Sequence, residues 1–297
     1  MRDWKVLLGV MRLPFVILAP ACTLVGLGTA YWTTGQLNWV MFVVVMIGTL
    51  AAHISVNTFN EYSDFRTGLD SRTKRTPFSG GSGTLQAHPK LAPAALAIAL
   101  ASMLVSAAVG IYVAALRGLG ILPLGIIGLF LLYGYTAWLV YHPVLCLLAP
   151  GLGFGPVIVI GTHYALTGQY SWEAAVASLV PFFLVSDLLL LNQFPDVEAD
   201  QQVGRRHFPI LIGRRRSAGI YTAFLVAAYG IIVLGVVYGL LPPFSALGLL
   251  TSFLAVQAIR VTGKNAENTA ALMPALGQNV LISILTPILL AIGAFIG

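Results

Sequence analysis

The sequence has few charged residues and almost no cysteine. Only 9% of its 297 residues are Asp, Glu, Lys or Arg, whereas soluble domains carry about 25%. Its two cysteines, Cys22 and Cys146, fall in apolar segments, so we expect free, buried thiols rather than a disulfide. The histidines and cysteines show no spacing typical of a zinc site. These shortages argue against a soluble globular protein, a disulfide scaffold and a zinc protein.

Long apolar segments account for most of the chain, which is 58% hydrophobic. A helix needs about 20 mostly apolar residues to cross a membrane. Nine segments meet this requirement: 12–33, 39–62, 91–116, 119–140, 143–166, 173–194, 217–240, 243–261 and 272–296. No low-complexity linker separates them. We therefore predict an all-α, polytopic membrane protein whose helices surround a central cavity, with residues 1–297 as a single transmembrane domain.

Basic residues are unevenly distributed between the two ends of the predicted spans. If the N-terminus is cytoplasmic, every Lys and Arg except Arg117 falls at the cytoplasmic face, which is the face that such residues favour. This bias predicts a multi-pass protein of the cell (inner or cytoplasmic) membrane. Its N-terminus and its two long loops, 63–90 and 195–216, are then cytoplasmic. The net charge of +6 thus indicates membrane orientation rather than nucleic-acid binding.

Polar residues concentrate at the end of the second predicted span. Four of them recur at intervals of four, three and four, which places them on one helical face: His53, Asn57, Asn60 and Asp64. Gly68 is a predicted helix end, and Asp70, Arg72 and Lys74 follow it. Carboxylates bind Mg²⁺, and Lys or Arg neutralises phosphate. The cluster therefore fits a magnesium–diphosphate group, with a solvated, capped loop as the alternative.

A second polar cluster follows the sixth predicted span. Three of its residues are four positions apart, again on one helical face: Asn192, Asp196 and Asp200. Pro195 is placed to kink that helix, and Arg205 and Arg206 come next. Four predicted spans separate the two clusters, so we expect both on the same side of the membrane. Two such clusters facing one cavity can hold a pair of metal ions that bridge one diphosphate.

The two clusters resemble the two Asp-rich motifs of the UbiA superfamily of intramembrane prenyltransferases, and the resemblance covers the whole chain. The first motif reads Asn60-x-x-x-Asp64-x-x-x-Gly68-x-Asp70. It looks like that of the branch that prenylates 1,4-dihydroxy-2-naphthoate on the way to menaquinone. Two further segments are similar to the same branch: PFSGGSGTL, residues 77–85, and FGPVIVIGTHYALTGQ, residues 154–169.

The resemblance implies a membrane-embedded enzyme that uses Mg²⁺ to transfer the prenyl group of a polyprenyl diphosphate to an aromatic acceptor. The implied metal ligands are Asp64, Asp70, Asp196 and Asp200. Asn60 and Asn192 would bind metal or diphosphate oxygens. The implied diphosphate contacts are Arg72, Lys74, Arg205 and Arg206. The expected partners are the polyprenyl diphosphate, the acceptor and the lipid bilayer, with no nucleic acid and no obligate protein partner.

Four other residues are secondary candidates: His53, Asn57, Tyr135 and Asp187. His53 is placed either to position the acceptor or to pack as a hydrogen-bonded histidine. Tyr135 would shield a cation with its ring face or anchor the chain at the membrane interface. Asp187 is a carboxylate within a predicted span, which marks a functional candidate, although a structural partner explains it equally well.

Two alternative functions stay open at this point. The first keeps the enzyme class and changes the acceptor to 4-hydroxybenzoate, a porphyrin or an ether lipid. The second is a secondary transporter, which also pairs polar sites on similar helices. Transporter sites lie near the bilayer midplane, whereas both acidic clusters are predicted at one membrane face beside basic loops.

Overall fold

The computed structural model describes residues 3–297, with side chains from residue 6 onward. Met1 and Arg2 lie outside the described residues. Arg2 is one of the basic residues predicted at the cytoplasmic face. The described part of the chain is helical and contains no strand. Nine of its helices are long and apolar enough to cross a membrane: Leu13–Thr34, Trp39–Thr67, Pro89–Arg117, Leu119–Ala137, Pro143–Thr167, Trp172–Asn192, Arg214–Val237, Pro243–Asn265 and Thr269–Ile296. The predicted all-α, polytopic fold is confirmed.

Several spans combine helical segments of different geometry. The first span consists of Leu13–Val16 and Leu18–Thr34, the third of Pro89–Leu91 and Ala92–Arg117, and the fourth of Leu119–Ile121 and Leu122–Ala137. The fifth span has three segments, Pro143–Leu152, Gly153–Ile160 and Gly161–Thr167. The eighth consists of Pro243–Thr251 and Ser252–Asn265. Shorter helices outside the spans are Asp3–Val10, Thr84–Ala87, Leu139–Tyr141, Val197–Gln202 and Phe208–Ile212. The middle of the fifth span is π-helical and contains Pro156, which cannot donate a backbone hydrogen bond. Such π segments are frequent at functional sites.

The second span continues five residues beyond its predicted end at 62. It begins after Asn38, whose side chain caps the Met41 N–H at 2.9 Å. It ends at Gly68, which adopts a left-handed conformation with φ of 71°, as helix-terminating glycines commonly do. Asp64 therefore lies on the last helical turn rather than in the loop, and the helix fixes its direction.

The sixth span ends before it reaches the two aspartates of the second acidic cluster. It stops at Asn192, and a separate helix, Val197–Gln202, starts after Asp196. Asn192, Asp196 and Asp200 therefore do not share one face of a single helix, and the kink expected at Pro195 is present as a break between two helices. Pro195 lies within the break, and its ring and missing N–H interrupt helical hydrogen bonding.

Packing divides the molecule into a dense core and an apolar outer surface. The main core contains fully buried residues of the first, fifth, sixth, seventh and ninth spans, and both cysteines are free and buried as predicted. Large apolar side chains stay exposed on the outside, among them Val40, Leu104, Val226, Val237 and Leu250. This distribution suits contact with lipid, because acyl chains are as apolar as these side chains.

Candidate active site

Two neighbouring cavities lie between the spans, share part of their lining and are each partly open to the outside. One is polar, with a volume of about 220 Å³, and the other is apolar, with a volume of about 380 Å³. Seven residues line both: His53, Asn57, Asn60, Tyr135, Pro150, Phe154 and Leu189. A ligand with a polar end and an apolar chain can therefore occupy both cavities at once.

The polar cavity collects both predicted acidic clusters. The Asn and Asp residues that line it, apart from Asn57, are Asn60, Asp64, Asp70, Asn192, Asp196 and Asp200. They lie at the ends of the second and sixth spans and in the segments that follow. The structure thus brings together all six residues that the sequence marks as candidate catalytic or metal-binding groups.

Arg205 connects the two clusters. Its guanidinium pairs with Asp64 of the first cluster and donates a hydrogen bond of 3.2 Å to Asp200 Oδ1 of the second. The other oxygen of Asp200, Oδ2, lies 3.0 Å from His207 Nε2. Burial alone would lower the pKa of Arg205, but the Asp64 and Asp200 carboxylates raise it above its ordinary value. Arg205 therefore stays charged and links the two clusters electrostatically.

Neither Asp196 nor Asp70 forms a salt bridge among residues 6–297, unlike Asp64 and Asp200. Burial, followed by the Asp200 carboxylate, raises the pKa of Asp196 to about 7. Burial also raises the pKa of Asp70, against the hydrogen bond of 3.0 Å that Gln86 Nε2 donates to Asp70 Oδ2. Within residues 6–297, Asp196 Oδ1 and Asn192 Oδ1 are buried without a hydrogen-bond partner. Unpaired buried oxygens of this kind are suited to a hard cation or to its bound water.

The carboxylates do not form a complete metal site by themselves. Among the described residues, no three His, Cys, Asp or Glu side chains converge closely enough to hold a metal ion alone. Magnesium is usually bound through one or two protein carboxylates together with substrate phosphates and water. The residues of the polar cavity therefore fit magnesium bound jointly with a diphosphate.

Neutral polar groups lie where the two cavities join. Thr136 Oγ1 donates a hydrogen bond of 2.9 Å to Asn60 Oδ1, which leaves the Asn60 amide nitrogen available to the cavity. Asn57 Nδ2 donates to the Met11 carbonyl at 3.1 Å. His53 is buried, and its ring packs edge-on against Phe154 with centroids 4.8 Å apart.

Tyr135 and Asp187 differ in their relation to the cavities. Tyr135 is buried and lines both of them. Asp187 is fully buried but lines neither, and both of its carboxylate oxygens lack a hydrogen-bond partner in the described part of the chain. Asp187 therefore has no direct route to a ligand in either cavity.

Three of the four predicted diphosphate contacts lie outside both cavity linings. Arg72, Lys74 and Arg206 have exposed side chains, and only Arg205 lines the polar cavity. The Arg206 backbone N–H bonds to the Val140 carbonyl at 3.2 Å. This contact fixes the local backbone and leaves the neighbouring Arg205 as the cavity residue.

Arg12 is a cavity residue that the sequence argument used only for orientation. It lines the polar cavity and has a left-handed backbone, with φ of 52° and ψ of 48°, which is uncommon for a residue other than glycine. Its guanidinium lies 4.8 Å from the centroid of the Phe15 ring and 3.9 Å from Glu61 Oε1. The feature of the sequence that could have pointed to Arg12 is its place directly before an apolar span whose second residue is Pro14.

The apolar cavity lies mainly between the second, third, fourth and fifth spans. Its wall includes the π-helical middle of the fifth span. Among the residues with described side chains, none that is charged lines this cavity, and aliphatic side chains dominate the wall, for example Val45, Val109, Leu129 and Val157. Such a cavity suits a hydrocarbon chain and excludes water.

Comparisons with known proteins agree with this geometry. The sequence profile described as the UbiA prenyltransferase family matches residues 19–285. The 1,4-dihydroxy-2-naphthoate octaprenyltransferase of Bacillus subtilis (strain 168) is 27% identical over 228 residues, which cover 76% of this chain and 72% of that protein.

Solved structures share the fold. An apo UbiA homolog from Aeropyrum pernix K1 superposes with a TM-score of 0.72 at 17% identity, over 95% of this chain and 97% of that chain. A UbiA homolog from Archaeoglobus fulgidus bound to GPP and Mg²⁺ gives a TM-score of 0.62 at 16% identity, over 98% and 100% of the two chains.

Proposed function

The chain belongs to the UbiA prenyltransferase family, and on that premise we propose that it transfers a polyprenyl group from polyprenyl diphosphate to 1,4-dihydroxy-2-naphthoate in menaquinone biosynthesis. The observation that carries this proposal is the junction of a carboxylate-lined polar cavity with an uncharged apolar cavity. The acceptor assignment is supported by the likeness to the Bacillus subtilis enzyme.

The polar cavity would bind the diphosphate and magnesium. Asp64, Asp70, Asp196 and Asp200 would hold the metal, directly or through water, with Asn60 and Asn192 on metal or diphosphate oxygens. When bound, Mg²⁺ would neutralise the negative charge that develops on the leaving diphosphate. The Archaeoglobus fulgidus structure with GPP and Mg²⁺ supports this pairing of ligands in the same fold.

Arginine side chains would complete the neutralisation. Arg205 lies in the cavity wall between the two clusters, and Arg12 supplies a second guanidinium to the same cavity. Positioned positive charge stabilises a leaving oxyanion more strongly in a water-poor site than in bulk water. Contacts from Arg72, Lys74 and Arg206 stay predictions, since these side chains would have to turn inward from solvent.

The apolar cavity would bind the prenyl chain and protect the reacting carbon from water. Heterolysis of the allylic C–O bond leaves an allylic cation, and an electron-rich ring carbon of the acceptor forms the new C–C bond. Loss of the naphthoate carboxyl group as carbon dioxide from that carbon restores the aromatic ring. Tyr135, Phe154 and His53 line the junction, where aromatic faces would shield a cation.

We also propose an orientation and a domain assignment. The protein is a multi-pass membrane protein; we place it in the cell membrane, with its N-terminus and both Asp-rich segments in the cytoplasm, because the basic residues favour that side. Residues 1–297 would form one prenyltransferase domain, since residues from the first to the ninth span line the polar cavity.

An acceptor panel tests the proposed function. Purified protein would receive Mg²⁺, a labelled polyprenyl diphosphate and one of four acceptors, with EDTA as the metal control: 1,4-dihydroxy-2-naphthoate, 4-hydroxybenzoate, a porphyrin or an ether-lipid acceptor. We expect a metal-dependent product from the naphthoate, with a mass that corresponds to prenylation and loss of carbon dioxide. Product from 4-hydroxybenzoate, a porphyrin or an ether-lipid acceptor instead would contradict the menaquinone assignment while keeping the enzyme class.

Filling the apolar cavity should shorten the accepted prenyl chain. Gly125 lines this cavity and has nothing within 4 Å of an added Cβ. The phenyl ring of the Gly125→Phe variant would therefore fill volume that isoprene units would otherwise occupy. We expect at least about a tenfold loss of kcat/KM with a long polyprenyl diphosphate, because each buried methylene contributes about 0.8 kcal/mol. Geranyl diphosphate should be affected far less.

Gly219→Phe is the matched control for this change. Gly219 lies on the seventh span, is exposed and also has free space around an added Cβ, but it lines neither cavity. The control should behave as the unmodified protein with both substrates. Equal losses with the long and the short diphosphate in Gly125→Phe would contradict the assignment of the cavity.

A further inference from the structure

Glu61 is a buried carboxylate beside the site that the metal and diphosphate assignments leave unexplained. It follows Asn60 near the end of the second span, and its side chain is only 1% exposed. It lines neither cavity. A buried carboxylate is costly unless it is paired or accepts hydrogen bonds, so its partners indicate its role.

Both oxygens of Glu61 bind the same residue, Ser82. The Ser82 backbone N–H donates to Oε1 at 2.7 Å, and the Ser82 hydroxyl donates to Oε2 at 2.6 Å. Arg12 Nε lies 3.9 Å from Oε1 and provides a nearby positive charge. Both distances are short for hydrogen bonds, so Glu61 holds Ser82 at two points.

Ser82 belongs to a glycine-rich loop, residues 76–83. Three of its glycines have left-handed backbones: Gly80 with φ of 84°, Gly81 with φ of 69° and Gly83 with φ of 71°. Glycine adopts such conformations without steric cost but loses much conformational freedom when it is ordered. A loop of this composition therefore needs an external attachment to keep one conformation.

The glycine-rich loop lies against both acidic clusters. Ser79, Gly80 and Gly81 line the polar cavity. Gly81 is so close to Asp70 that an added Cβ would lie 2.5 Å from each carboxylate oxygen. Asp196 of the other cluster lines the same cavity as Ser79 and Gly80. The position of this loop thus sets the surroundings of one Asp from each cluster.

We propose that Glu61 is a positioning residue that fixes the glycine-rich loop over the polar cavity through Ser82. The inference rests on the proposed function, because it concerns the cavity that would bind the diphosphate. Glu61 itself contacts neither metal nor substrate in this scheme. Its contribution is to hold the backbone of residues 79–81 against Asp70 and Asp196. The wall of the polar cavity is then already formed before diphosphate and metal bind.

Three substitutions separate this role from metal binding. Glu61→Ala removes both acceptors. Glu61→Gln keeps an oxygen for the Ser82 N–H and offers its NH₂ to the Ser82 oxygen, but it removes the negative charge that a metal ligand needs. Ser82→Ala removes the hydroxyl bond to Glu61, and the contacts of that hydroxyl with Thr84, without changing charge, so the contact stays testable even when Glu61→Ala does not fold. Glu267→Ala, an exposed glutamate outside both cavities, is the control.

We expect Glu61→Ala to lower kcat/KM for the polyprenyl diphosphate by at least about tenfold, since small misplacements in a catalytic site cost up to about 100-fold. The KM for the acceptor should not change. Glu61→Gln should keep most of the activity and the Mg²⁺ dependence of the unmodified protein, and Ser82→Ala should lie between the two. Adding Ser82→Ala to Glu61→Ala should cause a smaller loss than Ser82→Ala causes alone, because Glu61→Ala has already broken the contact between the two residues.

Hydrogen exchange of residues 76–83, measured without substrate, tests the attachment independently of activity. Glu61→Ala and Ser82→Ala should speed exchange in this loop and leave the spans unchanged, whereas Glu267→Ala should have no effect. Unchanged exchange, or a Glu61→Gln variant as inactive as Glu61→Ala with a raised Mg²⁺ requirement, would overturn the proposal. A protein that shows the exchange change but prenylates no acceptor would instead refute the proposed function.

Discussion

Asp196→Asn is expected to remove turnover while leaving the protein folded. The substitution keeps the size of the side chain and removes the charge that a metal ion would require. Asp196 forms no salt bridge within residues 6–297, and burial beside Asp200 already disfavours its charge. We therefore expect a loss of at least about 100-fold in kcat, comparable with removing one group that stabilises a developing oxyanion.

Thermal unfolding in detergent with and without Mg²⁺ and a prenyl diphosphate checks this prediction alongside activity. The variant should be at least as stable as the unmodified protein without ligand, because a repulsive buried charge is gone. It should lose the added stability that bound ligand confers. Glu198→Gln is the control, since Glu198 is exposed and pairs with Arg214 outside the cavities. Full activity in Asp196→Asn would refute the two-cluster mechanism.

Arg205→Ala should have the second largest effect and should act on the diphosphate. Arg205 pairs with Asp64 and Asp200, so its loss leaves two carboxylates without their shared cation. Removing one partner from a buried ion pair costs about 3–5 kcal/mol. We expect KM for the polyprenyl diphosphate to rise by at least about tenfold, with stability also reduced, while KM for the acceptor stays within about twofold of its starting value.

Two further variants separate the charge of Arg205 from its geometry. Arg205→Lys keeps the charge but cannot bridge two carboxylates with a planar fork, so it should recover activity only in part. Arg216→Ala removes an exposed basic residue at the same face and should leave both KM values unchanged. An effect of Arg205→Ala confined to the acceptor would contradict its assignment to the diphosphate.

The sequence was sufficient for the architecture and for the acidic residues of the site. Apolar segments long enough to span a membrane predicted the helices, because a membrane leaves few alternatives to helical hydrogen bonding. Helical spacing predicted that Asn60 and Asp64 share a face, and the second span extends far enough to carry both. The matching order of the two clusters predicted that they meet, as they do in the polar cavity.

The sequence did not predict which side chains of the loops face the polar cavity. Arg205 and Arg206 are adjacent, yet one lines the cavity and the other faces solvent, because the backbone of this turn, and not the residue type, sets the outcome. Arg12 reaches the cavity from a different span through an unusual backbone conformation. The contact between Glu61 and Ser82 depends on a loop that folds back on its own span, which no periodicity reveals.

The most direct test of the account is a structure of the protein with an unreactive prenyl thiodiphosphate and Mn²⁺, whose anomalous scattering locates the metal. We predict metal and diphosphate in the polar cavity, bounded by Asp64, Asp70, Asp196 and Asp200, with the prenyl chain in the apolar cavity between the second and fifth spans. Metal bound elsewhere, or a chain that leaves the apolar cavity empty, would contradict the claim that the two joined cavities form the prenyl-transfer site.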